Sequence, residues 1–274
     1  MSKSIKTIPE DIVQLFEHGH GISEENMSIF LDNLRVLITE RLSKSKERDP
    51  SRLRMSKIGT PNRKLYFDLN TPEGEPDYSN SLKFLYGDII EQLILLLVKE
   101  AGHEVTHEQV EVVVDGVKGH LDCKIDGVVV DVKSASSFAF KKFAQAELLN
   151  DDPFGYIHQI SAYSYPDNAA FLAVNKENGA ITVLEIDKID LVDPKVRIAE
   201  IKEILKQQQP PEEKCYPEVV QKNGNKTLHK NCTYCQHKFK CWNNLRVFDY
   251  AGGPVYFTEV VSEPRVEEIT QQCT

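Results

Sequence analysis

Apolar residues recur at helical spacing over residues 24–42, with Ser23 placed to cap the first turn. Residues 43–80 are polar and carry Pro50, Pro61, Pro72 and Pro76, which predicts irregular structure. Leu82 to Ala101 predicts a largely buried helix closed by Gly102. Three short strand patterns follow, over 108–114, 117–125 and 128–134. Residues 138–150 predict a helix, and Phe154 to Tyr165 another that ends at Pro166. Strands over 169–175 and 180–186 are joined by a turn at Asn178-Gly179. Residues 195–208 make an amphipathic helical pattern stopped by Pro210-Pro211. The remainder, 212–274, predicts irregular, cysteine-bearing structure. The central order is α-β-β-β-α-β, a mixed α/β core. Three segments are expected: an N-terminal extension over 1–80, a core over 81–190, and a C-terminal helix and cysteine lobe over 191–274.

Gly119-His-Leu-Asp-Cys-Lys-Ile-Asp-Gly-Val-Val-Val-Asp-Val-Lys133 is the most informative stretch. Asp126-Gly127 is a two-residue hairpin turn signal, so Ile125 should pair with Val128 and Cys123 with Val130. Continued outward, that register sets Asp122 against Asp131, Leu121 against Val132 and His120 against Lys133. One face then holds Leu121, Cys123, Ile125, Val128, Val130 and Val132, all apolar, and must be core. The other holds His120, Asp122, Lys124, Val129, Asp131 and Lys133. Opposed carboxylates repel unless a cation lies between them. A divalent ion such as Mg²⁺ suits one or two carboxylates plus water and phosphate oxygens. Lys133 can hold positive charge beside the same point. A plain solvent-facing polar face would explain the alternation, but not the opposed aspartates.

Charge complicates a nucleic-acid reading. The net charge is −9, which argues against such a partner, yet a whole-chain sum hides local fields. Residues 41–64 and 214–246 are both basic. No apolar run approaches the ~18 residues needed to span a bilayer, and the N-terminus lacks an apolar signal core, so a cytoplasmic protein is expected. Of six cysteines, three crowd into Cys232-x2-Cys235-x5-Cys241, a spacing that suggests metal rather than disulfides.

Gly119-x-x-Asp122 followed by Asp131-x-Lys133 resembles the core signature of the PD-(D/E)XK nucleases, and the αβββαβ order resembles their restriction-endonuclease-like core. The resemblance implies that the helix before the sheet donates an acidic ligand, and Gly87-x-x-x-Glu91 resembles that motif. Gln159-x-x-x-Tyr163 resembles the mark of the RecB-type branch, in which both residues order the active site; by itself the pattern reads as core aromatics. The cysteine triplet resembles that of iron–sulfur nucleases, including CRISPR-associated members. Their fourth cysteine precedes the core, where this chain has none before Cys123; Asn62 stands near that place, within a segment (54–66) that resembles the family's N-terminal block. Cys215 is the best substitute ligand. Cys123 belongs to the apolar face, and Cys273 lies near the terminus. The stretch 243–261 resembles the end of bacteriophage-encoded members.

The implied function is a Mg²⁺- or Mn²⁺-dependent deoxyribonuclease, an exonuclease or single-strand-preferring enzyme, acting in the host cytoplasm if phage-encoded. Glu91, Asp122, Asp131 and the Val132 carbonyl would hold the metal, Lys133 would stabilise charge, and Gln159 and Tyr163 would support it. Arg54, Ser56, Arg63, His120, Lys141 and Lys142 are the candidate DNA contacts. Cys215, Cys232, Cys235 and Cys241 would bind a [4Fe–4S] cluster or, equally by chemistry, Zn²⁺, with His229 and His237 as further zinc candidates. Two alternatives stand beside this: a catalytically silent DNA- or partner-binding module on a nuclease fold, and a dimeric junction resolvase.

Overall fold

A computed structural model of the chain describes residues 3–43, 52–70 and 78–269. These fall into two compact units, one within 1–59 and 72–202, the other within 60–71 and 203–274. The grouping differs from the three segments read from the sequence: the N-terminal helices belong with the core, and residues 60–71 belong with the cysteines.

The first unit is built on a five-stranded mixed sheet in the order β1-β4-β5-β6-β7. Its strands are β1 (Val105–Thr106), β4 (Cys123–Ile125), β5 (Val128–Ala135), β6 (Ala169–Asn175) and β7 (Ile181–Ile186). β5 and β6 run parallel, and the other pairs are antiparallel. The hairpin forms as expected around Asp126-Gly127, both with positive φ, and pairs Ile125 with Val128 and Cys123 with Val130. Its apolar face packs with Ile8 and Ile12 of α1 (Ile8–His18), and with Ile94, Leu95 and Val98 of α4 (Tyr78–Glu100). A one-residue slip would bring Asp131 and Lys133 into that core. It would also expel side chains worth roughly 1.5–3 kcal/mol each when buried, so the register is strongly set.

The other face of the sheet is also covered. Val129, Phe171, Ala173 and Leu184 pack against Phe143 of α5 (Ser137–Ala144) and Ile160 of α6 (Tyr156–Ser164). β5 is therefore buried on both faces, and the side chains of Asp131 and Lys133 share a face with Val129 rather than with open solvent. The parallel β5–β6 connection carries α5 and α6, as a parallel pair requires a crossover.

Several expectations needed correction. The strand read over 117–125 is broken. β3 (Val117–His120) pairs with β2 (Glu111–Val114) in a separate two-stranded sheet, closed by Asp115-Gly116. His120 thus pairs with Glu111, not Lys133, and the ladder to β5 stops at Cys123. The segment Leu121–Asp122 instead bonds back to residues 109–110: Leu121 N–H donates to Val110 O, and Gln109 N–H to Asp122 O. The helix read over 138–150 ends at Ala144, followed by a short 3₁₀ turn at Glu147–Leu149. Helix α1 was not expected, although Ile5, Ile8 and Ile12, all buried, carry its i, i+3/i+4 signal. Ser23 does cap α2 (Glu24–Leu42), accepting from Asn26 N–H. Helix α7 (Pro194–Leu205) closes the unit.

The second unit holds α3 (Asn62–Asn70), inside the stretch read as irregular. Pro50, Pro72 and Pro76, part of that reading, lie outside the described residues. The C-terminal stretch, also read as irregular, forms a four-stranded sheet in the order β10-β11-β9-β8. Its strands are β8 (Val219–Val220), β9 (Lys226–Thr227), β10 (Arg246–Tyr250) and β11 (Gly253–Glu259), with α8 (Lys230–Thr233) and α9 (Lys238–Cys241) between β9 and β10. Two-residue strands are too short for alternation to show, which is why the pattern missed them. Phe248 and Phe257 anchor this small sheet edge to face, with ring centroids 5.2 Å apart.

Candidate functional site

β5 delivers Asp131 and Lys133 to one point. Asp131 is 2 % exposed, and its Oδ2 lies 2.5 Å from Lys133 Nζ, in an ion pair without hydrogen-bond angles. Asp131 Oδ1 meets no hydrogen-bond donor among the described residues. Lys133 Nζ also donates to Gln159 Oε1 at 3.4 Å and stands 4.7 Å from the centroid of the Tyr156 ring. Both neighbours come from α6, one turn apart on the side that meets the sheet. Tyr156 is not among the site residues expected from the sequence; its contact with Lys133 adds it to the site.

Asp122 precedes β4, and its carboxylate turns onto the backbone of β5, where Val132 N–H donates to Oδ2 at 2.8 Å. Val132 itself is strand core, paired with Leu172. Glu91, on α4, accepts from Gln109 Nε2 at 2.9 Å. Gln109 is a site residue that sequence reading missed. It has a positive φ, and its backbone N–H holds Asp122 O while its amide holds Glu91. The sequence pattern placed it inside the strand expected over 108–114, whereas the strand begins at Glu111, and nothing in the pattern names its partners.

The electrostatics bind the four charged groups together. Burial, then the charges of Asp131 and Asp88, push Glu91 up to about 7. Burial, then Asp131 and Glu91, hold Asp122 well above the usual carboxylate range. Burial alone would lower the Lys133 ammonium, but Asp131 and Asp122 outweigh it and keep it raised. Burial pushes the Tyr163 hydroxyl up to about 12, with Asp131 and Asp122 adding to it. Tyr163 lies so close to β3 that a Cβ at Gly119 would meet its Oη at 2.7 Å and collide with Met55. Nearby, Gly59 and Gly155 cross backbone on backbone, with no room for a Cβ on either.

The candidate DNA contacts separate. Ser56, His120 and Lys141 are exposed, and Arg54 is partly so at the mouth of the 3₁₀ turn Met55–Lys57. Lys142 is buried, and its ammonium bonds the backbone and carboxylate of Asp151; it serves the fold and is not a phosphate contact. Arg63 belongs to the second unit, where it donates to Pro211 O and, at 3.1 Å, to Cys241 Sγ. Lys44, Lys46 and Arg48 of the basic 41–64 segment lie outside the described residues.

In the second unit Cys215, Cys232, Cys235 and Cys241 line one cavity with Arg63 and Lys64 of α3. All four are free thiols. Burial, then the neighbouring thiols, pushes Cys232 up to about 12; Cys215 and Cys235 are raised mainly by burial. Lys214 Nζ stands 4.0 Å from Cys241 Sγ. His237, a zinc candidate, is instead buried on Asp68, with Nε2 2.7 Å from Oδ1. His229, the other, stacks on Tyr216 and caps α8 through Nδ1. Cys123 is buried in the sheet core, as read, and Cys273 lies outside the described residues. Among the described residues, no group of three or more His, Cys, Asp or Glu side chains is set to hold a metal ion as it stands. The carboxylates are turned onto Lys133, Val132 and Gln109 instead.

No family model matches the sequence. No curated protein matches it. Among solved structures the chain is similar to the one titled "Crystal structure of SSO0001", at a TM-score of 0.43 and 18 % identity, over 78 % of this chain and 95 % of that one. That likeness is too slight to carry an argument. No helix among the described residues is long and apolar enough to cross a membrane.

Proposed function

We propose that this chain is a metal-dependent deoxyribonuclease of the PD-(D/E)XK class, with Glu91, Asp122, Asp131 and Lys133 at its centre. One observation carries the reading. Three carboxylates raise or crowd one another beside an ammonium, and the most buried of them, Asp131, leaves Oδ1 without a partner. A buried, unpaired carboxylate oxygen costs free energy unless something absent from the protein completes it. The donor set is all oxygen, which fits Mg²⁺ or Mn²⁺. The sheet order and the α6 crossover support the class.

Glu91, Asp122 and Asp131 would hold the metal, which when bound polarises a phosphate and eases deprotonation of a water. The chain's own residues do the rest. Lys133 stays protonated under Asp131 and Asp122, and offers fixed positive charge to a pentavalent phosphorane-like transition state. Gln159 and the Tyr156 ring hold its ammonium in place, so little reorganisation is needed as charge develops. Gln109 keeps Glu91 and the Asp122 backbone in register. In the second unit the four thiols, with Arg63 and Lys214 beside Cys241, suit a [4Fe–4S] cluster or Zn²⁺ as a structural centre.

The test uses end-labelled and circular DNA, single- and double-stranded, incubated with purified protein and Mg²⁺ or Mn²⁺. Cleavage that needs metal and is lost in Asp131→Asn is the expected result. No metal-dependent cleavage of any of these substrates would overturn the reading and favour a catalytically silent binding module.

A further inference from the structure

The second unit contains a cavity of about 520 Å³, beside the cysteines and distinct from the carboxylate site. Its size is that of a small-molecule site. Arg63, Lys214 and Lys240 line it against a single acid, Glu218. In a chain of net charge −9, such a concave cationic wall concentrates anions locally. Arg63 and Lys214 are held by neighbouring backbone and by Cys241, but Lys240 forms no hydrogen bond or ion pair among the described residues. Thr258 also lines the cavity, and its Oγ1 is sheltered from solvent with no partner there. A sheltered hydroxyl without a partner is rare and calls for one.

The wall is aromatic as well as basic. Trp242 carries Lys214 Nζ 4.6 Å from its ring centroid, and Phe67 carries the Arg63 guanidinium at 5.4 Å. A bare phosphate needs no rings, and an apolar ligand needs no unpaired ammonium. Rings beside cations match a ligand with both a π-face and a phosphate. We propose that this cavity binds one phosphorylated nucleotide of a single DNA strand. A duplex hides its base faces in the stack and cannot present one here. The inference deepens the nuclease reading, and rests on it for the choice of a DNA strand over a free nucleotide.

Trp242 is the chain's sole tryptophan, so its emission reports on this wall. Full-length protein with its native metal content, and no added divalent ion, is titrated with thymidine, inorganic phosphate, thymidine monophosphate and an oligothymidylate. The oligothymidylate should quench most tightly, the monophosphate next, and thymidine and phosphate weakly. Lys240→Ala should weaken the oligothymidylate by at least about fivefold. Thr258→Val should weaken it too, with an unchanged melting temperature, because the lost hydroxyl has no partner in the protein. Absence of quenching by both phosphorylated probes, or quenching indifferent to both substitutions, would overturn the proposal. Equal affinity for monophosphate and oligomer would overturn its strand half and leave a free-nucleotide site. A parallel cleavage assay separates the two readings. Quenching without cleavage rejects the nuclease alone, and cleavage without quenching rejects the cavity alone.

Discussion

Lys133 holds its ammonium 2.5 Å from Asp131 Oδ2, while the second oxygen of that carboxylate meets no donor among the described residues. The pair sits two residues apart on one strand, buried on the α6 side of the sheet. An ammonium so placed is already desolvated and aimed, and its removal should show in the transition state rather than in binding. Lys133→Ala should therefore lower kcat about 10²–10³-fold with DNA affinity nearly unchanged. Asp131→Asn should remove metal-dependent cleavage altogether. Steady-state kinetics and DNA binding by anisotropy check both; wild-type turnover by either variant contradicts the assignment.

The Glu91 carboxyl, 4.5 in an ordinary setting, is raised to about 7 by burial and by Asp131 and Asp88. Its protonated form is the one the metal-free fold prefers. The stability it contributes is thus complete below the ordinary value and is lost as pH climbs through 7. A bound cation demands the ionised form, so metal affinity should rise over that same window. Calorimetric titration with Mn²⁺ at pH 6 and pH 8 should show tighter binding at the higher pH, and Glu91→Gln should flatten the difference. An equal response in wild type and variant would place Glu91 outside the metal site.

Gly119 and Gly59 allow two close approaches. A Cβ at Gly119 would strike Met55 and the Tyr163 hydroxyl, and one at Gly59 would strike the Gly155 backbone. The Tyr163 hydroxyl can yield, but Met55 Cβ at 2.4 Å moves only with its backbone, and the Gly155 backbone at Gly59 cannot yield at all. Gly119→Ala should cost at least about 1–3 kcal/mol, and Gly59→Ala more. Denaturant melts measure both. Gly59→Ala as stable as wild type would mean that the crossing is looser than it stands.

The four thiols of the second unit share a cavity with Arg63 and Lys64. Cys→Ser at Cys215, Cys232, Cys235 or Cys241 should each lower the metal content of purified protein and its melting temperature, whereas Cys123→Ser should leave metal content unchanged. Anaerobic purification with elemental analysis decides the species. Iron with sulfide and a visible charge-transfer band means a cluster, and zinc without colour means the mononuclear centre. A stable protein holding neither would end the idea.

The hairpin was legible because Asp126-Gly127 admits positive φ at both positions, and because Leu121, Cys123, Ile125, Val130 and Val132 leave only one register with a dry face. The main helices and strands β5, β6 and β7 were legible for the same reason: each buries a periodic face. Local pattern also brought Asp131 and Lys133 together, since strand alternation alone places them on one side. It could not show that the strand breaks at Leu121–Asp122, because that break is made by hydrogen bonds to residues 109–110. Nor could it show Gln109 on Glu91, Tyr156 under Lys133, or Lys142 buried on Asp151, each a contact that a single element's periodicity does not set. Of the C-terminal sheet, β8 and β9 were hidden by their shortness, whereas β10 and β11 are of ordinary length and were simply missed. Residues 62–70 read as loop although they form α3, which groups with the distant C-terminal stretch. Sequence alone determines where this chain can bend and which faces must be dry; only tertiary packing decides which distant polar groups meet, because their partners are chosen by space and not by spacing.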